Sequence, residues 1–185
     1  DIEMSFVFPA PETASVAIAG SDERFPVHRI YCIGRNYLAH VLEMGNDERQ
    51  PPFFFQKPLD ALLPSGGEFP YPPGSENVQH EVELVVAIGK GGVDIPVESA
   101  LDHVYGYALG FDMTRRDLQE KAKKTGKPWD AAKAFDFAAP IAPIKPVSDV
   151  GHPSDSRIWL AVNGDVKQDS TLDLQIWNVP EGISH

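Results

Sequence analysis

Polar and apolar positions alternate most regularly over residues 80–89, His-Glu-Val-Glu-Leu-Val-Val-Ala-Ile-Gly. A strand sends successive side chains to opposite faces, so Glu81, Glu83, Val85 and Ala87 share one face while Val82, Leu84, Val86 and Ile88 fill the other. A second alternating run, residues 104–112, sets Tyr105, Tyr107, Leu109 and Phe111 against Gly106, Ala108, Gly110 and Asp112. Its small face permits close approach of another backbone or a ligand. Residues 30–34 and 51–58 read as buried strands, with the aromatics of the latter assigned to the core. Residues 157–162 and 166–168 flank Asn163-Gly164, the strongest hairpin signal in the chain. Short apolar runs broken by proline and glycine predict a small lobe of strands between residues 5 and 27.

Helical signals are fewer. Asn36 is placed to cap a short helix that Gly45 ends. Residues 97–103 suit a short amphipathic helix. Thr114 and Asp117 have the spacing of a capping box opening another, which residues 121–129 close as an exposed basic turn. Residues 174–181 look like the start of a last helix. With 17 prolines and 15 glycines among 185 residues, many short strands and turns are expected, and a helical bundle is not. The expected class is α+β and β-rich. Residues 1–27 form an N-terminal strand lobe, with 1–3 a short extension foreign to the fold, and residues 28–185 form the main domain.

Composition changes that picture little. A hydrophobic content of 42% supports a core of useful size. The formal net charge of −11 speaks against nucleic-acid binding, because no basic stripe replaces counterions on phosphates. It also repels anions at long range, so an anionic substrate requires a local inversion of sign by a metal ion and placed cations. Cys32 is the single cysteine, which excludes an intrachain disulfide and fits a reducing cytoplasm. No apolar run approaches the length needed to span a bilayer, so no membrane partner is expected.

The chemistry concentrates on carboxylates. Glu81 and Glu83, side by side on a strand that turns apolar, resist burial unless a cation or a shared proton compensates them. A divalent metal is one reading and an exposed acidic strand edge is the other. Asp112 ends the small face of its strand at a strand-to-helix junction. Arg116 and Gln119 follow in the first turns of the helix, where free N–H groups favour an anion. His40 and Glu43, three residues apart, share a helix face, so Glu43 can orient the imidazole and raise its basicity toward water; an ordinary ion pair has the same spacing. Lys133 by itself reads as a surface charge. Gly-Lys-Gly-Gly at residues 89–92 lacks the spacing of a phosphate loop.

Taken in order, these pieces resemble the fumarylacetoacetate hydrolase family. The resemblance rests on Gly34-Arg35-Asn36-Tyr37 with His40 and Glu43, His80-Glu81-Val82-Glu83-Leu84, and Gly110-Phe111-Asp112 with Arg116, Asp117 and Gln119. Gly126-Lys127-Pro128-Trp129 with Lys133 and Val162-Asn163-Gly164 complete it. The aromatic run at 51–60 and Tyr71-Pro72-Pro73 are most similar to the fumarylpyruvate and acylpyruvate hydrolases of gentisate-type aromatic degradation.

This resemblance implies a mixed β-roll, a homodimer, and Mg²⁺ (or Mn²⁺ or Ca²⁺) held by Glu81, Glu83 and Asp112. It implies that Arg116, Gln119 and Lys133 bind a small anionic oxo acid, and that His40 with Glu43 activates water. The expected reaction is hydrolysis of an acylpyruvate, fumarylpyruvate giving fumarate and pyruvate. An oxaloacetate-type decarboxylase, an oxo-acid isomerase and a non-catalytic metal-stabilised binding domain are the alternatives. The family's further C-terminal Gly-Asp turn and Thr-Gly-Thr-Pro loop are not in these residues, so the domain is expected to lack its C-terminal end.

Overall fold

Alternation along residues 82–88 and 104–111 decides the centre of the fold. In the computed structural model, which describes residues 5–37 and 50–185, these two stretches pair antiparallel with Glu83 opposite Gly110 and Val85 opposite Ala108. Around them, β1 (Ser15–Ala17) and β2 (Arg24–Pro26) make a small hairpin. Next, β3 (Ile30–Gly34) pairs antiparallel with β4 (Phe53–Lys57). Then β5 (Leu62–Pro64) and β6 (Val78–Gln79) lead to the central pair, β7 (Val82–Ile88) and β8 (Val104–Phe111). After β9 (Thr114–Arg115), β10 (Ala139–Ile141) and β11 (Lys145–Pro146) both pair antiparallel with β8, while β5 joins β10 in parallel. Finally β12 (Arg157–Val162) and β13 (Asp165–Thr171) form the expected hairpin. Its turn takes positive φ at both Asn163 and Gly164, as a two-residue turn matching strand twist requires.

The helices are short: α1 (Arg116–Thr125), α2 (Asp130–Lys133), α3 (Val147–Val150) and α4 (Val179–Ser184). Residues Val97–His103 are a 3₁₀ helix. The architecture is therefore α+β and β-rich, as expected.

One face of the β7–β8 pair builds the core. Ala87 and Ala108 are buried with Val16 and Ile144, and Val85, Phe25, Tyr105 and Ile141 pack against them. The small residues of β8 serve the anticipated close approach. A Cβ at Gly106 would run into the Lys145 carbonyl, and one at Gly110 into Val85. Because Val85 and Ala87 face this core, Glu83 and Glu81 on the same side extend its polar end.

The Asn36 side-chain amide donates to the Trp177 carbonyl and accepts from the Trp177 N–H, both at 2.8 Å, and the helix expected to run from it to Gly45 lies outside the described residues. Several other expectations fail. Thr114 is not a cap. It lies in β9, and Arg115 precedes the helix without any side-chain cap. Asp117 instead accepts from Ser75 at 2.6 Å and from the backbone N–H of Glu76. Phe6, Val7 and Phe8 form no strand and are exposed. Phe53 and Phe54 also keep exposed surface instead of joining the core. The last helix begins later than residue 174, at an unanticipated capping box between Asn178 and Glu181.

Candidate active site

Lys133 ends α2 with 2% of its surface exposed, so the default reading of a surface charge is wrong. Its ammonium donates to Glu81 Oε2 at 3.0 Å, Asp112 Oδ2 at 2.7 Å and Thr114 Oγ1 at 2.6 Å. All three donors of the group are thereby used. This explains why Thr114 is unavailable as a cap: its hydroxyl accepts from Lys133 and donates to the Asp112 carbonyl.

A second buried lysine completes the arrangement, and sequence reasoning missed it. Lys57 ends β4, and its ammonium donates to the carbonyls of Lys133 at 2.6 Å and Met113 at 3.2 Å. It also lies 2.8 Å from Asp112 Oδ1. The available signal was period two. Lys57 follows Phe53 and Phe55 on the same face of a strand otherwise made of aromatics, where a lysine is out of place unless paired.

Arg116, opening α1, holds the other side. It donates to Glu81 Oε1, to Gln119 Oε1 at 2.6 Å and to Gln79 Oε1 at 3.0 Å. The buried Gln119 is thus fixed by the arginine. A backbone hydrogen bond from Asp112 N–H to the Glu81 carbonyl, 2.8 Å, locks the two acidic positions together across the end of the β7–β8 pair. The structure brings together Glu81, Glu83, Asp112, Arg116, Gln119 and Lys133. His40 and Glu43 lie outside the described residues.

The electrostatics follow from burial opposed by pairing. Burial pushes the Glu81 carboxyl upward, but Lys133 and Arg116 outweigh it and hold the group down at about 2. Glu83 has no such paired cation among the described residues. Burial first, then the charges of Glu81 and Asp112, push its carboxyl up to about 8, with Lys133 opposing. Burial raises Asp112 and lowers Lys57, each against the pull of the other's charge. Cys32 on β3 senses the same cluster: burial and then Asp112 push its thiol up to about 12.

Three carboxylates thus meet three cations, a set that balances when every member is charged. As the side chains stand, no three His, Cys, Asp or Glu groups among the described residues surround one point closely enough to hold an ion. The Lys133 ammonium lies between Glu81 and Asp112. The donor set nonetheless suits a hard divalent cation, being all oxygen and lacking imidazole or thiolate. Asp112 Oδ1 is buried, and its Lys57 contact is close without being an aligned hydrogen bond. Glu83, raised by burial and by two neighbouring carboxylates, has no salt-bridged cation among the described residues. Those two oxygen groups are what an additional cation would satisfy.

A cavity of about 410 Å³ opens elsewhere, lined by Tyr107, His152, Leu172, Gln175 and Val179. Glu81, Glu83 and Asp112 do not line it. Among the described residues no helix is long and apolar enough to cross a membrane.

Comparison with known proteins agrees with this geometry. Residues 29–185 match the family described as fumarylacetoacetate (FAA) hydrolase C-terminal. The crystal structure of a fumarylpyruvate hydrolase from Pseudomonas aeruginosa, in complex with Mn²⁺ and pyruvate, superposes with a TM-score of 0.94 at 52% identity. The match covers 97% of this chain and 79% of that one. The oxaloacetate tautomerase FAHD1, mitochondrial, of Mus musculus is 42% identical over 156 residues, 84% of this chain and 71% of its own.

Proposed function

This chain belongs to the fumarylacetoacetate hydrolase family, and from that premise we propose that it is a divalent-metal-dependent acylpyruvate hydrolase whose substrate is fumarylpyruvate. The observation that carries the reading is the buried Lys133 ammonium, set among Glu81, Asp112 and Thr114. With Arg116 and Lys57 beside it and all three carboxylates ionised, this cluster balances in charge, so a divalent ion that displaces the Glu83 proton leaves it net positive and able to receive an anion. That local inversion is what an acidic chain requires to bind an oxo acid.

Glu81, Glu83 and Asp112 would hold Mg²⁺, or Mn²⁺ as in the Pseudomonas aeruginosa structure. When bound, the ion supplies Lewis-acid polarisation of the substrate's carboxylate and 2-oxo oxygens. Arg116 and Gln119 orient the pyruvoyl carboxylate. His40, oriented by Glu43, takes a proton from water as the water oxygen attacks the 4-carbonyl carbon. The C3–C4 bond breaks, its electron pair forms the pyruvate enolate, and Lys133 stabilises the charge growing on the enolate oxygen. A proton returned to C3 completes pyruvate, and the acyl group leaves as fumarate. A homodimer belongs to the same proposal on the family resemblance, and a cytoplasmic location on the single cysteine, Cys32.

The 42% identity to an oxaloacetate tautomerase favours a second reading, in which Lys133 and the ion stabilise an enolate without any attacking water. Pyruvate release from fumarylpyruvate, acetylpyruvate and oxaloacetate, measured with Mn²⁺ and with EDTA, separates the two. Metal-dependent release from acylpyruvates supports hydrolysis. Enol–keto exchange of oxaloacetate without acylpyruvate cleavage supports tautomerisation. Tight Mn²⁺ binding with no turnover at all returns the non-catalytic binding domain.

A further inference from the structure

Next to the charged cluster lies an aromatic and cationic corner that the reaction above does not use. The Phe53 and Trp129 rings meet edge to face at 5.1 Å between centroids, and Phe55 lies 6.1 Å from Trp129. The Lys133 ammonium sits 5.1 Å from the centre of the Phe55 ring. A continuous aromatic wall therefore runs from Lys133 through Phe55 to Trp129. At its far end the Arg35 guanidinium lies 5.8 Å from the Phe53 centroid and 5.7 Å from that of Trp129. Lys123, on α1, places its ammonium 5.1 Å from the same Trp129 ring.

The backbone makes a special provision for this. Arg35 is one of few non-glycine residues with positive φ, 57°, a conformation that strains an ordinary side chain and recurs where geometry is functionally constrained. Gly34 before it leaves no room for a Cβ, which would enter the Phe53 ring. The ring thus lies against the chain while the next residue turns over it.

Neither cation forms a salt bridge with a described residue, in a chain of 27 Asp and Glu against 16 Lys and Arg. Arg35 Nε is buried and makes no hydrogen bond. Stacking on aromatic faces engages the plane of a guanidinium and leaves its in-plane N–H donors for an anion, which a carboxylate matches with two oxygens. Lys123 is pushed down by burial and then by Arg35 and Arg116, with Glu81 opposing and Lys133 adding to the effect, so it senses both ends of the wall. The expected basic turn is exposed at Lys121, Lys124 and Lys127, while Lys123 is half-buried against Trp129.

We propose that Arg35 and Lys123, backed by Trp129, form a subsite for a second carboxylate at the end of the substrate's acyl arm, which lies along Phe55 while its pyruvoyl end is held at Lys133. The inference rests on the acylpyruvate reading and deepens it: the preferred substrates are acylpyruvates with a terminal carboxylate, over those ending in a methyl group.

The test compares kcat/KM for fumarylpyruvate and acetylpyruvate on the Mn²⁺-loaded enzyme, in wild type, Arg35→Asn and Lys123→Met. Asparagine tolerates the left-handed backbone, and Lys123 is on a surface helix, so its variant keeps the test open if Arg35→Asn does not fold. The wild type is expected to favour fumarylpyruvate, and each variant to lower that preference at least about tenfold, chiefly through KM for the dicarboxylate. An unchanged preference ratio in the folded variants overturns the subsite. If the wild type cleaves neither compound, the hydrolase reading has failed separately. Calorimetric binding of the same two compounds to Mn²⁺-loaded protein then decides the subsite. A dicarboxylate preference lost in the variants supports it, and equal binding by the wild type overturns it.

Discussion

The ammonium of Lys133 lies 2.7 Å from Oδ2 of Asp112, inside the protein, just past the end of β8 and before β9 and α1. The same ammonium reaches Glu81. Lys133→Met is expected to raise KM and lower kcat together, by about 10²-fold in kcat/KM, since the lost charge stabilises bound substrate and enolate alike. Steady-state kinetics on acylpyruvate checks this, and wild-type constants in the variant would remove Lys133 from the reaction.

Lys57 should differ in kind. Its ammonium holds two backbone carbonyls as well as Asp112, so Lys57→Met strands a carboxylate and two acceptors in a buried place. The expected cost is about 3 kcal/mol of folding stability. Urea denaturation measures it, and a loss below about 1 kcal/mol would mean that the pairing matters little.

These two lysines mark the limit of what the sequence discloses. Glu81 and Glu83 on one strand face, the small face of β8 and the Asn163-Gly164 hairpin all follow from neighbours in sequence, so alternation and turn chemistry reveal them. The burial of Lys133 depends on Glu81 and Asp112, and that of Lys57 on Asp112, partners that only tertiary packing supplies. Thr114 misleads for the same reason: it has the local spacing of a cap, but the ammonium of Lys133, distant in sequence, takes its side chain. The family resemblance named Lys133 where local pattern made it a surface charge, and it gave no hint of Lys57.

Glu83 makes metal binding pH-dependent. With its carboxyl pushed up to about 8, the group is protonated at pH 7 in metal-free protein and must ionise to ligate a cation. Binding of Mn²⁺ at pH 7 should therefore release close to one proton, and affinity should rise from pH 6 to pH 8. Calorimetry in buffers of different ionisation enthalpy counts the proton. Glu83→Gln should abolish the release and weaken binding at least about tenfold; unchanged affinity in that variant would leave Glu81 and Glu83 as an acidic strand edge.

Cys32, pushed up to about 12, should remain a thiol near neutrality. Its alkylation at pH 8 is expected to be at least about tenfold slower in folded protein than in urea. Equal rates would show that burial and Asp112 do not act on it.

His40 and Glu43 separate hydrolysis from tautomerisation, because only hydrolysis needs a base for water. His40→Ala should lower kcat for acylpyruvate cleavage by about 10²-fold or more while sparing Mn²⁺ affinity, with Glu43→Gln weaker in the same direction. Full activity in His40→Ala would assign the pair to an ordinary ion contact and advance the tautomerase reading.

The central claim is that water attacks the acyl carbon, and isotope transfer tests it without any variant. Fumarylpyruvate is incubated with the Mn²⁺-loaded protein in H₂¹⁸O, and the products are weighed by mass spectrometry. Hydrolysis predicts fumarate carrying one ¹⁸O in its newly formed carboxylate, in amounts equal to the pyruvate released. Fumarylpyruvate that survives uncleaved, or fumarate without the label, would contradict it.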